Sequence, residues 1–224
     1  MIKLAIFDLD GTLLDTIEDI AQACNHALEE CGCPARQLEE FNGMIGHGIS
    51  NLFRKALPED MRNEDMVKQM HSRFVPFYRE HICDRTKPYE GILATLDILA
   101  ENGISFAVAS NKYQEGTEQL VEHFFGRYGF RCVLGQRNGK AIKPDPGIIE
   151  EIIDEIGGIS ADETVYCGDS DVDMQTGINA GVRTIGAAWG FRSRKELEAY
   201  SPWLLAEKPE DIYEAILREN KIKA

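Results

Sequence analysis

The chain has 224 residues, and its 38 acidic side chains outnumber the 24 lysines and arginines, which gives a formal net charge of −14. This excess of acid argues against general binding to nucleic acid or anionic lipid, because both require clustered basic side chains. No apolar run approaches the roughly 18–20 residues of a membrane span, and Asp8 and Asp10 interrupt the N-terminal apolar run too early for a signal peptide. We therefore expect a cytoplasmic globular protein, monomeric or homodimeric, with neither nucleic acid nor membrane as a partner.

The first predicted element is a wholly apolar run at residues 4–7, followed by acid and glycine at 8–12. Such a run predicts a strand buried on both faces of a parallel sheet. From residue 16 to about 83 the spacing of apolar residues is helical only. Within this segment Thr16 and Asp19 resemble a capping box, and Pro76 predicts a kink.

After Pro88 strands and helices alternate. Helices are predicted at 92–103, 114–125, 145–156, 171–180 and from 209, the third with Asp145 as its N-cap, and strands at 104–109, 131–134, 164–167, 182–187 and 203–205. This order predicts an α/β fold, a Rossmann-like parallel sheet core of residues 1–15 and 84–224, with a helical cap of residues 16–83 inserted after the first strand.

The six cysteines form no C-x-x-C pair and have no spacing typical of zinc ligands. Most lie in apolar patterns, as Cys167 does, and a disulfide framework is unexpected at this length and density. We predict reduced, mostly buried thiols.

Polar residues stand where the predicted strands end. Because ligands bind at the carboxyl ends of strands in an open parallel sheet, these residues are expected to converge. They are Asp8 and Asp10, then Ser110, Asn111 and Lys112, then Lys143, and finally Asp169 with Asp173 one helical turn later.

This set of side chains suits the transfer of a phosphoryl group. Clustered carboxylates repel each other, and Mg²⁺ relieves the repulsion while also binding phosphate oxygens. Lys143 would offset the charge of the phosphate, and Ser110 would bind its oxygens. One aspartate is free to attack phosphorus, and an acid two residues along the same strand could protonate the leaving oxygen and then activate water.

The same residues resemble, in order, the four motifs of the haloacid dehalogenase superfamily. The motifs are Asp8-Leu9-Asp10-Gly11-Thr12, Ser110-Asn111, Lys143-Pro144 and Gly168-Asp169-Ser170-x-x-Asp173. The resemblance implies that Asp8 is the nucleophile and Asp10 the acid and base. It further implies that Asp8, Asp169 and the main-chain carbonyl of Asp10 hold Mg²⁺, with Asp173 in support.

For the substrate, the resemblance implies that Ser110, Asn111, Lys143 and Thr12 bind the phosphate while the helical cap closes over it. Because Ser170 and Asp173 also form a capping-box pattern, a purely structural role for Asp173 stays open. His47, between Gly46 and Gly48, is a candidate substrate contact from the cap, with ordinary surface-loop chemistry as the alternative.

A closer resemblance is to the phosphoglycolate phosphatase group. It rests on the segments Ile45-Gly46-His47-Gly48, Lys87-Pro88-Tyr89-x-Gly91, Ser110-Asn111-Lys112 and Trp189-Gly190-Phe191. It implies a Mg²⁺-dependent hydrolase of a small phosphorylated metabolite, acting through an aspartyl-phosphate. His47 departs from the small polar residue common at its position, which leaves the substrate open.

The same residues also suit other reactions. A phosphosugar mutase or a pyrophosphatase of the same superfamily would use the same aspartates. A receiver-like signalling domain also has a phosphate-accepting aspartate, but Asp10 and the insertion at 16–83 argue against it.

Overall fold

The computed structural model describes residues 1–222 and has the predicted architecture, a parallel α/β sheet with a helical insertion. The strands are β1 (Leu4–Phe7), β2 (Leu14–Asp15), β3 (Lys87–Pro88), β4 (Ser105–Tyr113), β5 (Cys132–Gln136), β6 (Thr164–Gly168), β7 (Arg183–Ala187) and β8 (Leu204–Ala206). The helices are α1 (Ile17–Glu30), α2 (Ile49–Ala56), α3 (Glu64–His81), α4 (Ile92–Glu101), α5 (Gln114–Phe125), α6 (Gly147–Ile156), α7 (Asp171–Asn179), α8 (Arg194–Glu198) and α9 (Glu210–Ile222).

Strand β1 lies in the middle of the main sheet, whose six parallel strands follow the order β5-β4-β1-β6-β7-β8. Its four residues are fully buried, as expected of a strand covered on both faces. Since β4 and β6 pair directly with β1, the residues at the ends of these three strands meet at the centre of one sheet edge.

The insertion folds as a helical unit of its own. Helices α1, α2 and α3 pack on one another around aromatic side chains, with the rings of Phe53 and Phe74 5.3 Å apart and those of Phe74 and Tyr78 5.0 Å apart. Helix α3 continues through Pro76, which does not end it. The division of the chain into a core and a cap at residues 15/16 and 83/84 stays a prediction.

The chain crosses between the sheet and these helices twice, and the crossings pair as β2 and β3, antiparallel. The predicted capping box at the start of α1 is wrong. The carboxylate of Asp19 instead accepts from the backbone N–H of Arg85 and of Thr86 at 2.8–3.1 Å, and from the Thr86 hydroxyl at 2.7 Å. Asp19 therefore joins the two crossings, while the buried hydroxyl of Thr16 has no hydrogen-bond partner among the described residues.

Two further boundaries differ from prediction. Strand β4 continues to Tyr113, so Ser110, Asn111 and Lys112 lie within it rather than after it. Helix α6 begins at Gly147, whose N–H donates to Asp145 at 2.9 Å, and Pro146 occupies the N-cap position expected for Asp145.

The cysteines are free, as predicted. Four are buried, namely Cys24, Cys33, Cys132 and Cys167, and burial raises the pKa of Cys24 to about 12, so its thiol stays protonated. Within residues 1–222 no helix has both the length and the apolar character needed to cross a membrane.

Candidate active site

The ammonium group of Lys143 lies at the centre of the site and contacts four other groups. It is buried and lies 3.0 Å from Asp8 Oδ1, 2.7 Å from Asp173 Oδ1, 3.0 Å from the carbonyl oxygen of Ala109 and 2.8 Å from the hydroxyl of Tyr166. Burial alone would lower its pKa, but the carboxylates of Asp173 and Asp8 raise that pKa above its usual value. Lys143 is therefore a fixed positive charge at the end of β1.

Three buried aspartates surround this charge. Carboxylate oxygens of Asp8, Asp169 and Asp173 all lie within 4.8 Å of one another. Loss of hydration on burial raises the pKa of Asp8 to about 7, even though Lys143 acts in the opposite direction. Burial, followed by the charges of Asp173 and Asp8, also raises the pKa of Asp169 well above its ordinary value. One lysine does not offset this acidity, so the cluster has the chemistry of a divalent-cation site.

Asp169 is held in place by neighbours on two sides. Its carboxylate accepts from the Thr12 hydroxyl at 3.2 Å and from the backbone N–H of Phe191 at 2.6 Å. Gly11 lies directly against it with φ +84°, and a Cβ there would stand 2.3 Å from Asp169 Oδ2. Glycine at 11 is thus required by both conformation and space. The hydroxyl of Thr12, expected at the phosphate, is hydrogen-bonded to Asp169.

Asp173 caps helix α7 with one carboxylate oxygen and contacts Lys143 with the other. Its Oδ2 accepts from the N–H and the hydroxyl of Ser170, at 3.0 and 2.6 Å, and so caps α7. Its Oδ1 accepts from Lys143 and from Tyr166, each at 2.7 Å. Despite complete burial, Lys143 and these hydrogen bonds lower its pKa. Both oxygens are occupied, so Asp173 supports the site through Lys143.

Asp10 has a partner that the sequence analysis missed. The ammonium of Lys112 donates to both carboxylate oxygens of Asp10, at 2.9 and 3.0 Å, and lies 4.7 Å from the centre of the Tyr78 ring. Alternation along a strand would have placed Lys112 on the same face as Ser110. That signal was lost because the predicted strand ended at residue 109.

The side chain of Asn111 connects three parts of the site through hydrogen bonds. Its amide donates to the carbonyl of Lys143 at 3.1 Å and to that of Gly46 at 2.9 Å, and its amide oxygen accepts from the N–H of Lys143 at 2.9 Å. One side chain therefore links β4, the loop that carries Lys143 and the loop at Gly46.

The loop that contains Gly46, His47 and Gly48 is tied to the sheet at its edge. The guanidinium of Arg192 donates to the carbonyl of Asn42 and, at 2.9 Å, to that of Ile45, and it also lies 3.5 Å from Asp171 Oδ1. The imidazole of His47 lies 3.5 Å from Asp171 Oδ2. His47 and Arg192 thus contact the same carboxylate, that of Asp171.

Between the sheet edge and the helices lies a cavity of about 60 Å³. From the sheet it is lined by Asp8, Asp10, Ser110, Asn111, Lys112 and Tyr113, and from the insertion by Gly46, Gly48, Ile20, Ile45, Ile49, Leu52, Phe74 and Tyr78. Its floor is acidic and its opposite wall is mainly apolar. The structure places the predicted strand-end residues of β1 and β4 at this floor. The lining does not include Lys143, Asp169, Asp173 or His47.

Known proteins share both the sequence pattern and the fold. A family model described as haloacid dehalogenase-like hydrolase matches residues 5–187. A phosphoglycolate phosphatase from Aquifex aeolicus is 30% identical over 214 residues, 94% of either chain, and one from Agrobacterium fabrum is 32% identical over 84% of this chain and 81% of its own. A crystal structure of a protein from Lactobacillus delbrueckii subsp. bulgaricus has a TM-score of 0.87 and 31% identity, covering 96% of this chain and 98% of that one.

Proposed function

The chain belongs to the haloacid dehalogenase-like hydrolases, and on this premise we propose that it is a Mg²⁺-dependent phosphatase that hydrolyses a small, phosphoglycolate-like phosphomonoester through an aspartyl-phosphate. The observation that carries the proposal is the pairing of Asp8, which lines the floor of the cavity, with a buried Lys143 at 3.0 Å. Relatives named phosphoglycolate phosphatase favour this substrate class.

The proposed reaction has two displacements at phosphorus. A carboxylate oxygen of Asp8 forms a bond to phosphorus as the bond to the leaving alcohol breaks, and Asp10 donates a proton to that alcohol oxygen. Water then attacks phosphorus of the aspartyl-phosphate while Asp10 takes its proton. The bond between phosphorus and Asp8 breaks, which regenerates the Asp8 carboxylate and releases inorganic phosphate. Lys143 and Ser110 bind the non-bridging oxygens and stabilise the charge that develops on them.

The residues present fit a magnesium ion. Asp8, Asp169 and the main-chain carbonyl of Asp10 would hold it, and the excess negative charge of the carboxylate cluster is what such an ion offsets. When bound, it would supply charge neutralisation for the phosphate. Asp173 keeps Lys143 in place, Thr12 keeps Asp169 in place, and Asn111 aligns the phosphate-binding backbone.

The helical segment 16–83 acts as the cap in this proposal. Its loop at Gly46 and Gly48 borders the cavity, and His47 contributes to substrate binding by holding that loop against Asp171. The partner in this proposal is a small phosphorylated metabolite.

Release of inorganic phosphate from a panel of esters tests the proposal. The panel contains 2-phosphoglycolate, 2-hydroxyethyl phosphate, a phosphosugar, a nucleoside monophosphate and pyrophosphate, each assayed with Mg²⁺ and after verified metal removal. We expect hydrolysis of the small monoesters only with the metal. Full activity without metal, or no hydrolysis of any monoester, would overturn the proposal.

Two substitutions test the assigned residues. Asp8→Asn should lower kcat on the order of 10⁴-fold or more, because the nucleophile is lost, whereas the exposed Asp154→Asn on α6 should leave it unchanged. Asp10→Asn should slow turnover on the order of 10²–10⁴-fold. Intact-protein mass spectrometry of the Asp8 variant should find no covalent phosphate, and a phosphorylated Asp8→Asn protein would exclude Asp8 as the acceptor.

A further inference from the structure

The cavity offers a substrate few polar partners beyond its floor. The wall contributed by the helices consists of Ile20, Ile45, Ile49, Leu52 and Phe74, with the ring of Tyr78 beside them. Among the described residues that line the cavity, Lys112 is the only one with a positive charge. A second anionic group on the substrate therefore has one direct electrostatic partner there.

The ammonium of Lys112 has capacity for a second acceptor. Its side chain is 4% exposed, and within residues 1–222 its hydrogen bonds run to the two oxygens of Asp10 alone. An ammonium carries three N–H donors, so one remains after both oxygens of Asp10 are satisfied. The remaining donor belongs to a buried cation at the wall of a cavity, where an anion binds strongly.

Tyr78, whose ring centre lies 4.7 Å from the ammonium of Lys112, supplies a second donor. The residue is 1% exposed, lines the cavity and has a buried hydroxyl with no hydrogen-bond partner among residues 1–222. Burial, reinforced by the charge of Asp10, raises the pKa of this hydroxyl well above its usual value, so it stays protonated and able to donate. An unpaired buried hydroxyl is costly unless a ligand satisfies it.

We propose that Lys112 and Tyr78 form a subsite for a carboxylate on the leaving alcohol, so that the enzyme selects phosphate esters of short hydroxy acids over neutral esters of the same length. This inference rests on the proposed phosphatase function and adds the residues that choose the substrate. The carboxylate would accept from the ammonium and from the phenol while the phosphate lies at Asp8.

A pair of esters isolates the subsite. In 2-phosphoglycolate a carboxylate stands where 2-hydroxyethyl phosphate has a neutral CH₂OH group, and the reacting phosphate is the same. We expect kcat/KM of the wild-type protein to favour 2-phosphoglycolate by about ten- to a hundredfold, the range of a charged hydrogen bond. In Lys112→Met this preference should fall to within about threefold of unity, mainly through KM for 2-phosphoglycolate.

The ratio of the two kcat/KM values distinguishes recognition of the carboxylate by Lys112 from positioning of Asp10 by Lys112. Because Lys112 also contacts Asp10, Lys112→Met will lower kcat for both esters, and the preference alone reports the subsite. Equal losses on both esters, with an unchanged preference, would show that Lys112 only positions Asp10 and would overturn the inference. Lys68→Met, an exposed change on α3, is the matched control.

Tyr78→Phe gives a second and gentler test, since it removes a single oxygen and preserves the packing. It should reduce the preference about fivefold, in line with one hydrogen bond. An unchanged preference in Tyr78→Phe would exclude the phenol from the subsite. If Lys112→Met does not fold, an unchanged preference in Tyr78→Phe overturns the proposed subsite. Wild-type hydrolysis of both esters with equal efficiency would overturn the subsite alone, whereas hydrolysis of no monoester in the panel would overturn the phosphatase function with it.

Discussion

The two halves of the cavity are built from different interactions. On the sheet side, Lys143 forms buried ion pairs with Asp8 and Asp173, and Asp169 lies within 4.8 Å of both aspartates. On the helical side the wall is mainly apolar, and Arg192 ties its loop to the sheet through backbone carbonyls. A change on the sheet side disturbs charge balance and chemistry together. A change on the helical side alters which molecule fits.

Removing the charge of Lys143 is the strongest test of this contrast. Lys143→Met leaves two carboxylates and the Tyr166 hydroxyl buried without their cation. Breaking a buried ion pair in this way costs about 3–5 kcal/mol in the free energy of unfolding, and turnover should fall on the order of 10²–10³-fold. Urea denaturation and phosphate release measure the two effects.

The matched control for that variant is Lys140→Met. Lys140 is a largely exposed lysine that pairs with Glu151 at 3.1 Å, and such a pair contributes about 0–1 kcal/mol. If Lys143→Met were no less stable than Lys140→Met, the buried network would not be holding the sheet side together.

In the absence of metal, Asp8→Asn should stabilise the protein, whereas Lys143→Met destabilises it. Burial raises the pKa of Asp8 from 3.8 to about 7, so between these values the native protein holds a proton that the unfolded chain releases. Stability of the wild type therefore falls as pH rises through this window. Asparagine carries no such charge, and in EDTA at pH 8 the variant should be more stable by on the order of 4 kcal/mol, at about 1.4 kcal/mol per pKa unit.

Thermal melts in EDTA at several pH values measure this difference, which should shrink toward pH 4. Adding Mg²⁺ should raise the melting temperature of the wild type much more than that of the variant, since only the wild type has the full carboxylate set. A variant less stable than the wild type at pH 8 in EDTA would contradict the account of Asp8 as a strained, buried charge.

The sequence predicted the sheet side far better than the helical side. A continuous apolar strand followed by acid identifies Asp8 and Asp10, and the parallel sheet brings Asp169 and Lys143 to the same edge. These predictions depend only on strand order. The α/β fold with its helical insertion is confirmed, while the catalytic and metal-binding roles of the residues stay predictions.

What the sequence did not predict depends on contacts between distant elements. Tyr166 lies in an apolar run that predicts a buried strand, and nothing in that pattern indicates that its hydroxyl contacts Lys143. Arg192 lies in a loop and crosses to the carbonyl of Ile45. Asp19 has the spacing of a local cap, but its carboxylate binds backbone N–H groups at 85–86 instead. A polar side chain can satisfy either a local or a distant partner, and spacing alone does not distinguish them.

Arg192→Met tests whether the helical side governs binding more than chemistry. The variant frees the loop that borders the cavity while leaving Asp8 and Lys143 untouched. We expect KM to rise about tenfold, the effect of one lost interaction of roughly 1.4 kcal/mol, with kcat changed less than threefold. Steady-state kinetics on 2-phosphoglycolate measure both constants. Arg194→Met, an exposed change at the start of α8, is the control, and a fall in kcat with constant KM would contradict the division of roles.

His47→Asn should have the smallest effect. The imidazole is 39% exposed, contacts Asp171 at 3.5 Å and stands outside the lining of the cavity. An exposed pair of this kind contributes at most about 1 kcal/mol, and Arg192 holds the same loop more firmly through two carbonyls. The kcat/KM values for all esters of the panel should therefore fall together and by less than about threefold. A selective loss for one ester would show that His47 reaches the substrate directly, and the helical side would then recognise its ligand through a polar contact as well as through shape.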